Sequence, residues 1–305
     1  MRSLIFAFLA IIAIGLSPSH AHEGKGGLSL EPDPSVRSIA VGHTLLQGDA
    51  IDAFTSNPSC LTKVGNLEIA LKHSSPIEHL ESSLTSLWMG KAFGSKLQYP
   101  GSDVPSRRFG LGLALQHRSI DLAQGSRWSS NLVFLGVGYG FAPYASTGLT
   151  LKLLSTSSDL GEISASGYGI DLGTHLELTS RIGLDLSLHN VLGSVSWHNA
   201  SSERPPVVVS AGLTGGGPFG CWLSACMGWT STGESRLGLG VELPIYEYLA
   251  IRTGLLRRSS ESSRTIVTGG FGLRLRSFTL DYAFQSDPVA FGLSHHFAFR
   301  LAPPF

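Results

Sequence analysis

The sequence predicts an all-β fold: a transmembrane, outer-membrane type of antiparallel β-barrel with about 14 strands and an N-terminal hatch or plug. Three observations predict it. From residue 66 onward, bulky apolar residues alternate with small or polar ones, the period of a strand whose two faces meet different surroundings. Charged residues make up only 14% of the 305-residue chain, against about 25% in a usual soluble domain. Beyond the leader, no apolar run reaches the roughly 20 residues that a membrane-crossing helix needs. Hydrophobicity hidden in alternation is the signature of a membrane barrel.

The N-terminus reads as a signal peptide over residues 1–21. Met1-Arg2-Ser3 is a basic head, Leu4 to Leu16 an apolar stretch, and Ser19-His20-Ala21 a small-residue cleavage signal. An apolar stretch of 13 residues is too short for a membrane anchor, which takes about 20. No cysteine follows the cleavage site, so lipoprotein processing is not expected. Export to the outer membrane of a Gram-negative-type bacterium is.

Residues 22–65 do not alternate and are read as the hatch. His22 to Pro34 is rich in Gly and Pro, an extended entry segment. Asp49 is placed to cap one or two helical turns, which Asn57-Pro58 would stop. The alternative is a tail that packs on nothing.

Residues 66–305 form the barrel. Candidate strands lie at 66–75, 83–93, 107–119, 129–141, 145–157, 165–178 and 181–190, then 206–214, 219–230, 235–244, 247–258, 263–276, 277–286 and 290–301. Outward faces read Phe109, Leu111, Leu113, Leu115, then Ile182, Leu184, Leu186, Leu188, then Leu237, Leu239, Val241, Leu243. Their inward partners are mostly Gly, Ala and Ser, with acids Asp171, Asp185, Glu242 and Asp281 and bases Lys152, Arg274, Arg276 and Arg300. These charges are expected to pair across the lumen and with Arg37, Asp49 and Asp52 of the hatch; a polar track for substrate is the alternative. A soluble sandwich would have to bury that charged face or expose the Leu and Phe face, both costly. Trp88, Trp128, Tyr139, Tyr144, Tyr168, Trp197, Trp229, Tyr246 and Tyr248 fall toward strand ends, as interfacial girdles do. Pro- and Ser-rich stretches at 99–107 and 196–206 are expected as long loops on one, extracellular, side.

The chemistry excluded is as informative. A formal net charge of zero leaves no basic face for nucleic acid. There is no His-Glu-x-x-His, Cys-x-x-Cys or Walker loop, so neither an enzyme nor a metal or other cofactor is expected. Gly136-Val137-Gly138-Tyr139-Gly140 lies within a strand and lacks the helix a dinucleotide site needs. His295 and His296 point to opposite faces. Cys60, Cys221 and Cys226 are too few for a disulfide scaffold, and Cys221 and Cys226 on one strand would lie about 17 Å apart.

Three stretches resemble the PorV/PorQ group of outer-membrane proteins, related to the FadL-type transporters of hydrophobic compounds. The first is Ser35-Val36-Arg37-Ser38-Ile39-Ala40-Val41-Gly42 with Asp49-Ala50-Ile51-Asp52-Ala53-Phe54 and Asn57-Pro58-Ser59-Cys60-Leu61. The second is Leu280-Asp281-Tyr282-Ala283-Phe284 through Gly292-Leu293-Ser294-His295-His296-Phe297. The third is Leu186-Ser187-Leu188-His189-Asn190-Val191-Leu192-Gly193. Val41, His43 and Ser59-Cys60 depart from the family's usual Met, Gly and Ala-Gly, all within the hatch. The resemblance implies a fourteen-stranded barrel whose hatch, with Arg37, Gly42, Asp49, Asp52, Asn57 and Pro58, gates a lateral or luminal path for small hydrophobic molecules. In PorV-type members the barrel instead serves secretion-system proteins. Outer-membrane lipid and the barrel-insertion machinery are partners either way.

Overall fold

The structure, a computed structural model, describes residues 30–44, 51–65, 67–75, 82–94, 108–121, 126–159, 163–198, 202–260, 263–287 and 292–303. Residues 1–21, read from the sequence as a signal peptide, and Asp49 lie outside these.

The chain enters through a short helix α1 (Val36–Ala40) and 3-10 turns at Ile51–Ala53 and Pro58–Thr62. It then runs through β1 (Glu68–Ser75), β2 (Ser82–Gly94), β3 (Arg108–Asp121), β4 (Arg127–Ala142), β5 (Ala145–Ser158), β6 (Ile163–Thr179) and β7 (Ile182–Trp197). The second half holds β8 (Val208–Gly216), β9 (Trp222–Thr230), β10 (Ser235–Tyr246), β11 (Leu249–Ser259), β12 (Ser263–Leu275), β13 (Phe278–Asp287) and β14 (Gly292–Leu301). Every strand pairs antiparallel with its sequence neighbours, and β1 pairs with β14, giving a closed barrel of 14 strands. Closure gives every strand a partner on both sides, which is what hydrocarbon demands of backbone N–H and C=O groups.

The alternation fixes the faces. Leu71, Leu111, Leu135, Leu239, Leu255, Phe271 and Phe297 stand outward and exposed, while their neighbours in sequence are buried or half-buried. Outward apolar residues recur on every strand of the wall, a belt that lipid covers and water does not. No helix among the described residues is long and apolar enough to cross a membrane.

The two ends of the barrel differ. The end at which β1 begins and β14 ends closes β4–β5, β6–β7, β10–β11 and β12–β13 with tight turns; it is called the turn end below. Arg276 belongs to one of these, with φ of 51°, and not to the lumen face where alternation put it. A turn residue ends the ladder and is free of its period. The two long connections also separate. The β2–β3 connection leaves the turn end and the β7–β8 connection the opposite, loop end, because the strands between them are odd in number. They do not share a side.

Candidate functional site

Residues 30–44 and 51–65 fill the barrel from within, as two lobes. In the first, Ser35 caps α1, its Oγ accepting from Ser38 N–H at 3.1 Å. Val36, Ile39 and Ala40 pack on Ala283 and Ala298 of β13 and β14. The chain then reverses at Gly42, with φ of 77°, a left-handed conformation that suits glycine. There Gly42 lies flat on β10 and β11, where a Cβ would meet the carbonyls of Leu239 and Leu255 at 2.6 Å. Its N–H donates to Thr268 Oγ1 at 3.0 Å. His43 follows, bonded through Nε2 to Gln285 at 2.6 Å. Burial, with Arg258 nearby, lowers its imidazole pKa to about 3, so it stays neutral.

The second lobe is organised by Asn57. Its Oδ1 accepts from Ser59 N–H at 3.2 Å and Ser59 Oγ–H at 2.7 Å, capping the turn whose first residue is Pro58. Asn57 therefore starts a 3-10 turn where the sequence suggested that a helix stops. Its Nδ2 donates to the wall, to Thr174 O at 3.3 Å and Asp185 Oδ1 at 3.2 Å. Lys63 reaches Glu177 at 3.1 Å, and Arg108 donates to Val64 O at 2.6 Å. Replacing Asn57 with Ala removes the cap and leaves Asp185 short of a donor. Limited proteolysis is expected to cut the hatch faster, with a loss of about 1 kcal/mol in the local opening energy; an unchanged rate would show that the cap does not hold this lobe.

Two charge clusters tie the lobes to the wall. Arg37 forks onto Glu242 at 2.8 and 2.7 Å, Glu242 also takes Arg252 at 2.6 Å, and Arg252 reaches Asp281 at 2.5 Å. Around Lys152, Nζ meets Asp171 Oδ1 at 2.8 Å, Asn190 Oδ1 at 2.5 Å and Leu30 O at 3.1 Å. Both Lys152 and Asp171 have 0% side-chain exposure. Lys152 thereby joins the start of the described hatch to β5, β6 and β7.

That junction is also the main irregularity of the wall. Ile170 pairs with Leu192, but Leu172 pairs with Leu188, so the β6–β7 ladder skips around His189, Asn190 and Val191. Asn190 takes φ of 57°. Side chains replace the missing ladder: Asp171 accepts from Asn190 N–H at 2.8 Å, His189 Nδ1 lies 3.0 Å from Asp171 Oδ2, and Asn190 Nδ2 donates to Pro206 O at 2.9 Å. Beyond His189↔Val208 no further β7–β8 ladder pair forms among the described residues.

Toward the loop end of this bulge the inner face turns apolar. Trp88 on β2, Leu132 and Phe134 on β4, Leu154 on β5, Ala165 on β6 and Val195 on β7 are buried in one cluster with Leu30, and Trp197 packs against it. Trp128 and Trp197 stand 6.1 Å apart between ring centroids. Trp88, Trp128 and Trp197 thus serve the lumen and not the girdle, whereas Tyr139, Tyr168 and Trp229 stand on the outer face, Tyr144 is exposed in the β4–β5 turn, and Tyr246 and Tyr248 border the cavity at the turn end. The sequence did hold a signal for this wall: Leu132-Val133-Phe134-Leu135 and Leu153-Leu154 are apolar on both faces. At the turn end a cavity of about 500 Å³ opens below the hatch, with Arg37, Asp52, Lys63, Glu242, Arg274, Asp281 and Arg300 on its walls. Burial pushes the Asp52 carboxyl pKa up. Cys60, Cys221 and Cys226 are free thiols.

A closed, lipid-belted β-barrel with its own N-terminal segment folded into the lumen defines a hatch-bearing membrane barrel. Among solved structures the chain is similar to that of the CymD monoaromatic hydrocarbon channel, with 12% identity, TM-score 0.63, and 90% of this chain and 99% of that one covered. It is similar also to the Ralstonia pickettii toluene transporter TbuX, at 14% identity and TM-score 0.59 over 90% and 99% of the two chains. A Pseudomonas aeruginosa FadL homologue gives 10% identity and TM-score 0.60 over 88% and 97%. At these identities the likeness is one of fold, the FadL-type barrel. No protein-family model and no curated protein matches the chain.

Proposed function

We propose that this protein passes small hydrophobic molecules across an outer membrane, with residues 22–65 as the hatch and the turn end facing the periplasm. The observation that carries this is the apolar inner wall from Trp88 to Trp197, on which Leu30, Ile51, Phe54 and Leu61 of the hatch pack, so that a hatch leaving its seat bares an apolar lumen surface. It ends at the β6–β7 bulge, where Leu30 of the hatch is held by Lys152. An apolar solute entering from the loop end would partition onto that wall and meet the hatch at the bulge, where the β7–β8 ladder has ended and the Val195↔Glu203 bridge continues the contact. The fold shared with a hydrocarbon channel and a toluene transporter supports the same reading.

Liposomes carrying the protein test it, with toluene-like compounds as the probe. Uptake is expected above that of empty liposomes, and Val195→Asp, which sets a charge on the apolar wall, is expected to cut it about tenfold or more. Uptake equal to that of empty liposomes would remove the proposal. The finer PorV/PorQ likeness, a barrel that carries secretion-system proteins, rests on the hatch stretches between Ser35 and Leu61, on Leu186 to Gly193 and on the terminal hairpin from Leu280 to Phe297. It places function on the loop-end connections, most of which lie outside the described residues, and a secreted protein co-purifying through washes would favour it.

A further inference from the structure

His175 stands where the second lobe of the hatch meets the wall. It is buried on the inner face of β6, opposite Ser146 of β5 and Asp185 of β7. Three ionisable groups face it: Asp185 Oδ1 lies 2.9 Å from Nδ1, Lys63 Nζ of the hatch 2.9 Å from Nε2, and Glu177 Oε1 3.9 Å from the same Nε2. From β5 comes no charge, since Ser146 is neutral and its hydroxyl turns to Ser59 O at 3.5 Å.

Those partners fix the proton. A carboxylate accepts, so Nδ1 donates to Asp185; an ammonium donates, so Nε2 must accept from Lys63. His175 is therefore neutral while the second lobe is seated, and Lys63 holds the lone pair that a proton would need. The two compete for one site. Once Lys63 leaves, the surroundings favour the proton, because an imidazolium between two carboxylates makes charge-assisted bonds on both sides. Asp185 Oδ2 is buried with no hydrogen-bond partner among the described residues. On the other side, a protonated Nε2 would turn donor toward Glu177, the acid that pairs with Lys63 at 3.1 Å. Lys63 then meets a like charge and shares its remaining partner.

Protons can reach the place. The side chains of Lys63 and Glu177 are 19% and 22% exposed, and both line the cavity at the turn end. The first lobe has no such arrangement. Its ion pairs, Arg37 with Glu242 and Lys72 with Asp33, join groups that do not titrate near neutrality, and His43 bonds the neutral Gln285.

We propose that His175 is a pH-operated latch: its protonation displaces Lys63 and frees residues 51–65 from β6, while the first lobe stays on β13 and β14. The seated form excludes the proton and the unseated form accepts it. The seat is therefore at full strength above the titration of the imidazole and weakens as pH falls through it. For an imidazole of ordinary pKa, about 6.5, the ratio of unseated to seated lobe rises about tenfold from about pH 7.5 to about pH 5.5. The latch does not rest on which molecules pass the barrel, because unseating is measured without transport.

Cys60, a buried thiol within the freed turn, is the reporter in the full chain held in lipid nanodiscs. Cys221→Ser/Cys226→Ser leaves it as the one thiol to react. The probe is a dithiodipyridine, which attacks thiols at acid as well as neutral pH, and each rate is divided by that of the urea-unfolded chain at the same pH. This normalised rate is expected to rise about tenfold between the two pH values. In His175→Gln, whose amide oxygen can accept from Lys63 but takes up no proton, the rise is expected to vanish. In Lys63→Gln it is expected to vanish too, with faster labelling at both pH values. The ratio between the two pH values is what decides, so a raised basal rate in either variant does not obscure the outcome. A normalised rate that ignores pH overturns the proposal, and so does a tenfold rise that survives in either variant.

Discussion

Lys152→Met is expected to be among the most destabilising single substitutions in the barrel, by roughly 3–5 kcal/mol. The methionine fills most of the volume of the lysine stem, so the loss is electrostatic. Asp171 has 0% side-chain exposure and would keep only His189 and the Asn190 N–H as partners. The Asn190 side chain, which holds the β7–β8 gap through Pro206, would lose its contact with Lys152 as well. Urea unfolding in detergent micelles reads the effect, and it should be local first, with faster proteolysis of the hatch around Leu30. The double variant Lys152→Met/Asp171→Leu is expected to recover much of the loss, since a buried pair replaced by apolar groups is often tolerated where half a pair is not. A single variant as stable as the parent would mean that Lys152 and Asp171 do not meet in the folded protein.

Gly148→Val is expected to have the second large effect, on the hatch and not on the barrel. A Cβ at Gly148 would lie 2.5 Å from Pro58 O and 2.7 Å from Ser59 N. These are backbone atoms of a capped turn, unable to swing aside as a side-chain tip can. Overpacking of this kind costs about 1–3 kcal/mol, and the simplest relief is for the Asn57–Thr62 turn to leave its seat. The variant should stay a folded, heat-modifiable barrel whose hatch is protease-sensitive and whose conductance in planar bilayers rises. Gly216→Val is the control, because a Cβ there meets only the Arg181 side chain at 3.6 Å, an ordinary contact. If both variants behave alike, the close seat of the hatch on β5 is not what closes the lumen.

Much of the architecture was legible in the chain, and the exceptions share a cause. Alternation located all fourteen strands, because which face a residue takes depends only on its neighbours along the strand. It failed wherever the local period breaks. Arg276 was carried one step past the end of β12 into a turn. β7 was stopped at residue 190, where the bulge resets the period; Leu192 points out and Val195 in on the continuation to Trp197. The girdle reading failed for Trp88, Trp128 and Trp197, since nearness to a strand end says nothing about face. Helix α1 was missed because five residues are too few to show a 3.6-residue period.

For the candidate site the division is sharper. Arg37, Asn57 and Pro58 could be singled out from residue type, but their partners could not. Arg37 meets Glu242 across 205 positions of sequence, and Asn57 meets Asp185 across 128. Taken alone, the sequence determined a lipid-facing closed sheet, its handed-out faces and a non-alternating segment left over to occupy it. Only the tertiary structure decided where that segment sits, which lumen charges it meets, and that Arg274 and Arg300 flank Thr279 at the turn end. The physical reason is that strand alternation is a local property written at every second residue, whereas a plug's seat is chosen by shape and charge brought together from distant strands.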